Sequence, residues 1–180
     1  VDGFENTTGQ VVLNLKLVPA AVQTPSNDKI ENAREITDFS QPVAGSNRGA
    51  TGKANEPSHT AESRPLASVW WKWVSDRSSF VGFDTLGSSF DTTIAIYTKD
   101  EGGNLVTVAS NDDFFGTTSL VWFKPSIGET YYLAVDGKKN GEGLIVLNPK
   151  AFGDQENIDS SFIQGVYSSS GSTGDASNKV

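Results

Sequence analysis

The sequence contains no cysteine and no methionine, and its 180 residues include a single histidine, His59. Without cysteine there is neither a disulfide framework nor a thiolate zinc site. With one histidine, a metal site built from several imidazoles is excluded, and a Ser-His-Asp catalytic arrangement would depend on His59 alone. Because methionine is missing even at position 1, we expect the chain to begin after processing.

Long apolar runs and an excess of basic residues are missing as well. No run approaches the roughly 20 apolar residues of a membrane-spanning helix, and the sequence shows no signal peptide. The formal net charge is −8 and the sequence pI is about 4.6. Nucleic acid, whose phosphates require a basic protein face, is therefore not an expected partner.

The residues that are abundant indicate an all-β protein. Hydrophobic residues make up 36% of the chain, and 18 glycines accompany many serines and threonines. Short β-branched and aromatic runs alternate with turn residues about every 8–12 positions, which predicts an antiparallel β-sandwich or jelly roll. The predicted strands are Val11–Val18, Ser68–Val74, Phe80–Asp84, Thr92–Thr98, Leu105–Ala109, Leu120–Phe123 and Thr130–Val135.

One stretch of sequence occurs twice. Residues 1–16 read VDGFENTTGQVVLNLK, residues 135–150 read VDGKKNGEGLIVLNPK, and nine of these sixteen positions are identical. The repeat is partial, so the chain holds one complete module preceded by a second copy of the module's last part. The predicted organisation is an extra N-terminal strand or hairpin end (1–19), a linker (20–26), a β-sandwich module (27–150) ending in a hairpin over 131–148, and a Ser/Gly-rich C-terminal extension (151–180).

The N-terminal copy is the better strand former, because Leu15 stands where the second copy has Pro149. Its alternating residues Val11, Leu13, Leu15 and Leu17 are the predicted assembly strand, which adds to an exposed sheet edge of a neighbouring subunit. Such a head-to-tail contact propagates into a filament unless its rotation closes a ring. The alternative is that 1–19 is the end of a preceding module in a tandem array.

The run Ser68–Val74 (SVWWKWV) places tryptophans on both faces of one strand. Aromatic faces bind sugar rings, so Trp70 and Trp122 are the candidate ligand-stacking residues. The favoured alternative is structural: Trp71 and Trp73 alternate into the core, while Trp70 or Trp122 packs beneath a loop.

Asp91 together with Asn111, Asp112 and Asp113 is the candidate metal site. Calcium takes six to eight oxygen ligands, and consecutive Asx residues in a loop can supply several of them. The spacing matches no EF-hand loop, and Asx clusters also form ordinary turns.

We predict a local hydrogen-bonding role for His59, and no pair of carboxylates suggests glycosidase chemistry. No catalytic residue is assigned, and we expect a protein that is not an enzyme.

A series of short motifs follows in order over roughly 27–148: Asn27-Asp28, Gly45-Ser46-Asn47, Gly49-Ala50-Thr51, Glu56-Pro57-Ser58-His59, Ser68–Trp73, Asp84-Thr85, Gly87–Thr92, Ala95–Thr98, Ala109–Asp113 and Tyr131–Gly137. Together these motifs resemble a bacterial extracellular repeat related to the pre-peptidase C-terminal (PPC) domain. Two features depart from the pattern: Ser75–Ser79 replaces a Pro- and Gly-containing segment, and Pro149 interrupts the last strand.

The resemblance implies a β-sandwich without catalysis of its own, secreted or on the bacterial cell surface and used for attachment, spacing or assembly. The expected partners are copies of the same chain or adjacent repeats. The alternative function is a carbohydrate- or surface-binding module of a secreted enzyme or large adhesin, with a polysaccharide as partner. The sequence assigns no certain cofactor, and calcium is the one that its Asx residues suggest.

Overall fold

Two β-sheets pack face to face in the computed structural model, which describes residues 22–53, 56–60 and 65–153. The described strands are β1 (Arg34–Glu35), β2 (Val43–Ser46), β3 (Val69–Val74), β4 (Val81–Asp84), β5 (Thr92–Lys99), β6 (Leu105–Asn111), β7 (Leu120–Phe123), β8 (Thr130–Gly137) and β9 (Leu144–Ala151). One sheet has the order β1-β3-β8-β5-β6 and the other has the order β2-β9-β4-β7. The strands pair antiparallel except for β1 with β3. The fold is therefore the predicted all-β antiparallel sandwich.

The predicted assembly strand, with Val11, Leu13, Leu15 and Leu17, lies outside the described residues, and so do residues 154–180 of the C-terminal extension. Short 3₁₀ turns occur at Ile30–Asn32 and Lys138–Asn140. Within the described part of the chain, no helix is long and apolar enough to cross a membrane.

The core between the sheets is built from alternate residues of β3, β5 and β8. Val69, Trp71 and Trp73 of β3 are buried on the inner face, as the alternation of the sequence predicted. They meet Phe83 from the opposite sheet. The ring of Trp73 stacks against Tyr131 with centroids 5.8 Å apart, and this aromatic packing adds to the hydrophobic stabilisation of the core.

The central part of the outer face of the five-stranded sheet is covered rather than open to solvent. Trp70 and Tyr97 are fully buried there, and Ile30 and Ala33 pack over them. The covering segment is held by Asn27, whose carbonyl oxygen accepts from the backbone N–H of Trp70 and whose side-chain amide donates to the carbonyl of Trp70. The strand therefore buries tryptophans on both faces.

The predicted hairpin over 131–148 is wrong, because β8 and β9 belong to different sheets. The loop between them crosses from one sheet to the other, and Lys139 and Asn140 adopt positive φ values of 51° and 67° within it. Gly137 allows this reversal, since a Cβ at that position would lie 1.8 Å from the carbonyl oxygen of Gly141. We call this connection, residues 138–143, the arch.

The arch defines one end of the sandwich, the arch end. The opposite end, here the turn end, carries the turn Asp100–Asn104 and the loops after β3 and β7. Strand pairing gives each strand a direction along this axis: β9 runs from the arch end to the turn end, and β2 and β4 run antiparallel to it. In the other sheet β8 runs toward the arch end, and β6 runs in the same direction because both pair antiparallel with β5.

Candidate functional sites

The chain enters the module at the arch end. Val22 contacts Gly49, where an added Cβ would lie 2.7 Å from Cγ1 of Val22. The segment that contains Gly49 is fixed to the arch by the buried side chain of Asn47. This side chain donates to the carbonyl of Gly141 and accepts from the backbone N–H of Gly143. Ser46, the last residue of β2, pairs with the first residue of β9.

The last described residues of the module lie at the turn end. Ala151 at the end of β9 pairs with Val81, and the backbone N–H of Phe152 donates to the carbonyl of Phe80. Eight strand residues at about 3.3 Å each separate the two ends by roughly 25 Å. Val22 and Phe152 therefore lie at opposite ends of the sandwich.

Positions that are identical in the two copies of the repeat make specific contacts in the second copy. Asp136, which corresponds to Asp2, is fully buried, and its carboxylate accepts from the backbone N–H groups of Leu66, Ala67 and Gly137 at 2.7–2.9 Å. These charge-assisted bonds fix the loop before β3 to the end of β8. The corresponding glycine, Gly3, matches Gly137 at the start of the arch.

Two further identical positions converge on Asp84 of β4. The amide of Asn148 donates to Oδ1 of Asp84 at 2.6 Å, and the ammonium of Lys150 lies 3.7 Å from its Oδ2. The equivalents in the N-terminal copy are Asn14 and Lys16. The N-terminal copy therefore keeps the side chains that join β9 to its neighbour, in addition to its apolar alternation.

Three of the four residues predicted to bind a metal lie together at the arch end. One carboxylate oxygen from each of Asp91, Asp112 and Asp113 lies within 4.8 Å of the others. Asn111 does not join them, because its Oδ1 accepts from the backbone N–H of Leu120 at 3.0 Å. The predicted set therefore divides into a carboxylate cluster and a residue that supports β7.

The ammonium of Lys138 lies against this cluster, 2.8 Å from Asp112 and 2.7 Å from Asp113. These hydrogen bonds raise the pKa of Lys138 above its ordinary value. Burial raises the pKa of Asp91, the charge of Asp113 raises it further, and Lys138 acts in the opposite direction. A lysine thus supplies the positive charge where calcium was predicted, so a metal must displace its ammonium to reach Asp112 and Asp113.

His59 lies within a buried hydrogen-bond network. Its Nδ1 lies 2.9 Å from the hydroxyl of Tyr97, and its Nε2 lies 2.8 Å from Oγ of Ser68. Oγ of Ser68 in turn lies 3.4 Å from the carboxylate of Asp136. The residue types are those of a hydrolase triad, but the carboxylate contacts the serine and not the histidine. Because Ser68 is fully buried, its hydroxyl is not accessible to a substrate.

The same burial controls the protonation of this network. Desolvation lowers the pKa of His59 to about 4, although the charge of Asp136 acts in the opposite direction. Burial, with a smaller contribution from the charge of Glu56, raises the pKa of the Tyr97 hydroxyl. His59 is therefore neutral at pH 7 and joins the loop at 56–60 to Ser68, which directly precedes β3, and to Tyr97 of β5.

Trp70 packs beneath a covering segment, as the favoured structural alternative expects, and not as a candidate stacking residue: its side chain is fully buried and its indole N–H points toward Glu56, 3.4 Å away. Trp122 is half-buried on the outer face of the four-stranded sheet, where its ring lies 6.4 Å from that of Phe114. Phe80 and Phe152 lie in the same cluster. Of the two predicted residues, Trp122 alone presents part of an aromatic ring to solvent.

Sequence reasoning missed Lys138 and the buried carboxylate of Asp136. It also missed Asp28, which accepts from the backbone N–H of Thr51 at 2.5 Å and forms an ion pair with Lys53 at 3.1 Å. A signal for Asp136 was present, since an aspartate kept in both copies of a repeat is more than a solvated charge. No comparable signal marks Lys138, because the N-terminal copy has Phe4 at that position.

Comparisons with known proteins assign neither a family nor a function to this chain. No protein-family model matches the chain, and no curated protein matches it. Among solved structures, the pre-peptidase C-terminal domain of a collagenase from Bacillus anthracis is similar, with 17% sequence identity and a TM-score of 0.44. The similarity covers 66% of this chain and 94% of that chain. The assignment as a β-sandwich rests on the strand pairing of this chain itself.

Proposed function

We propose that the chain is a non-catalytic extracellular structural module that assembles head to tail into a fibre or surface array. Residues 1–19 of one copy would complement a sheet of the preceding copy. The observation that carries this proposal is the placement of Val22 at the arch end and of Phe152 at the turn end. A module with this geometry can be joined in line, turn end to arch end, without the chain doubling back.

The contacts of the second copy support a strand role for the first. Asn148 and Lys150 join β9 to Asp84, and the N-terminal copy keeps both residue types at Asn14 and Lys16. A segment that keeps these residues together with an alternating apolar face has the chemistry of a strand of this fold. Strand addition would satisfy its backbone groups and bury Val11, Leu13, Leu15 and Leu17.

A donated strand cannot take the position of β9 in an intact copy. That position is interior, since β9 pairs with β2 on one side and with β4 on the other, and it is filled by the copy's own chain. Complementation between intact copies therefore has to use a sheet edge. In the alternative arrangement, residues 1–19 complete a preceding module of a tandem array and no donation between chains is needed.

The proposal is tested by removing residues 1–19 and examining both proteins by negative-stain electron microscopy and size-exclusion chromatography. We expect fibres from the full chain and a folded monomer with an unchanged circular dichroism spectrum from the truncated chain. Fibres from the truncated chain would overturn the proposal.

A pair of point variants separates strand addition from a general effect of the N-terminus. Leu13→Asp combined with Leu15→Asp places charges on the inserted face and should abolish the fibres. Val18→Asp places a charge on the opposite face of the same segment, at a position outside the repeated residues 1–16, and should leave them. If both variants polymerise equally, the inserted face is not the contact.

The secreted or cell-surface location is part of the proposal and is supported by the resemblance of the motifs over 27–148 to PPC repeats. The alternative function, binding of a polysaccharide, depends on Trp122. A polysaccharide pull-down that is lost in Trp122→Ala would favour it, because Ala removes the half-buried ring without touching the core between the sheets.

A further inference from the structure

We infer that the outer edge of β6 is the acceptor for residues 11–18 of a second copy, paired antiparallel; this inference rests on the proposed function. Among the described strands, β6 is at the edge of the five-stranded sheet and pairs with β5 on one side. The backbone groups that alternate on its other side are the hydrogen-bonding partners that strand addition requires.

β6 is longer than the other described edge strands. The described edges are β1 with two residues, β2 and β7 with four each, and β6 with seven. The donor segment 11–18 has eight residues (VVLNLKLV). Because each added residue contributes to the pairing, β6 can satisfy most of the donor backbone, whereas the other edges leave half of it or more unpaired.

Away from its last residue, Asn111, which contacts the start of β7 through Leu120, the side chains of β6 also leave its edge unprotected. Edge strands are usually protected by lysine, proline, inward-pointing charge or covering segments. The sequence of β6, LVTVASN, has no charged residue and no proline, and Val106 and Val108 are 47% and 39% exposed. A register shift opposite Ile96 and Tyr97 bends the strand near Val108, so a partner has to follow that bend.

Direction agrees with the head-to-tail geometry. A donated strand has to run from the arch end to the turn end of the acceptor, because its own module, which starts at Val22, lies beyond the acceptor's turn end. β6 runs in the opposite direction, so the pairing is antiparallel. Residues 19–21 then span at most roughly 10 Å between the added strand and the next module. On β1 or β7 the same direction would give parallel pairs, which are slightly less stable per residue.

Engineered disulfides test the acceptor in the full chain, which contains no other cysteine. In the register that centres the two segments, Lys16 faces Val106. The variant Lys16→Cys with Val106→Cys should give a ladder of covalent multimers on non-reducing gels, and the ladder should collapse on reduction. The matched control is Lys16→Cys with Ala44→Cys, which places the second thiol at an exposed position on the β2 edge and should give no ladder.

Fibre formation by variants that carry a lysine on the β6 edge or on the β2 edge gives a second, independent measurement. Val106→Lys should abolish the fibres while leaving a folded monomer with an unchanged melting temperature, and Ala44→Lys should leave the fibres intact. If the full chain forms fibres that require residues 1–19, but the cysteine at 106 does not cross-link to that at 16 or Val106→Lys still polymerises, the assignment of β6 is overturned and the proposed function stands. If the full chain forms no fibres, or forms them without residues 1–19, the proposed function fails and the β6 assignment fails with it.

Discussion

The imidazole Nε2 of His59 lies 2.8 Å from Oγ of Ser68, and both side chains are buried. The hydroxyl of Tyr97 occupies the other ring nitrogen, so the network is satisfied with a neutral imidazole. A buried neutral histidine makes stability depend on pH, because the unfolded chain can take up a proton that the folded chain resists.

We expect the free energy of unfolding to fall as the pH falls from 6.5 to about 4. The pKa of His59 is about 4 in the folded state and 6.5 when unperturbed. Between these values the unfolded state binds more protons, so the contribution of His59 is complete above pH 6.5 and is lost as the pH falls to 4. The slope is at most about 1.4 kcal/mol per pH unit.

The measurement is urea unfolding as a function of pH for the wild type and for His59→Gln, which keeps hydrogen-bonding capacity without titrating. Burial raises the pKa of Glu56, which acts in the opposite direction, but both proteins contain Glu56 and its contribution cancels in the difference. The wild type should lose stability relative to the variant as the pH falls from 6.5 to 4. Parallel curves would show that His59 is not held neutral.

Lys138 provides a test of the predicted calcium site. Lys138→Gln leaves the carboxylates of Asp91, Asp112 and Asp113 close together without their cation, and we expect a loss of about 1–2 kcal/mol at low salt from their mutual repulsion. Millimolar calcium should restore the melting temperature of this variant and should change that of the wild type much less, because the ammonium no longer competes with the metal.

The matched control is Lys139→Gln, which removes a charge from the neighbouring exposed position of the arch and should change stability by less than about 0.5 kcal/mol. Thermal unfolding with and without calcium, followed by circular dichroism, measures all three proteins. If Lys138→Gln neither loses stability nor responds to calcium, the three aspartates do not act as a cation site.

The sequence predicted β3 to β8 and the inward alternation of Trp71 and Trp73, because a period of two is a local property of the chain, but it did not predict the short strands β1 and β2. It did not decide which of Trp70 and Trp122 packs beneath a loop, since the cover over Trp70 comes from Ile30 and Ala33, which lie some forty residues earlier. The hairpin prediction over 131–148 failed for a related reason. The turn residues between β8 and β9 show that the chain reverses, but not that it changes sheets.

The acidic cluster of Asp91, Asp112 and Asp113 also depends on a contact between residues distant in the sequence, which the local sequence does not predict. Asp91, Asp112 and Asp113 were grouped from the abundance of Asx residues in loops, and the strand pairing brings them together. Lys138 is 25 residues away from Asp113, and nothing in its local sequence connects it to the cluster. A pattern of residue types can therefore predict where negative charge collects, but not which cation neutralises it.

Gly45 provides a test of how closely β2, at the edge of the four-stranded sheet, packs against Trp71. A Cβ at this position would lie 2.7 Å from Cζ2 of Trp71 and 3.1 Å from its Cη2. Trp71 is fully buried in the core, so its ring cannot move away without displacing its neighbours. We expect Gly45→Ala to lower the free energy of unfolding by about 1–3 kcal/mol.

The matched control is Ala44→Ser at the adjacent exposed position, which should change stability by less than about 0.5 kcal/mol. Chemical denaturation of both variants measures the difference, and equal stability would show that β2 can shift away from the indole. Because β2 also pairs with β9, a shift of β2 would loosen the strand that the N-terminal segment repeats.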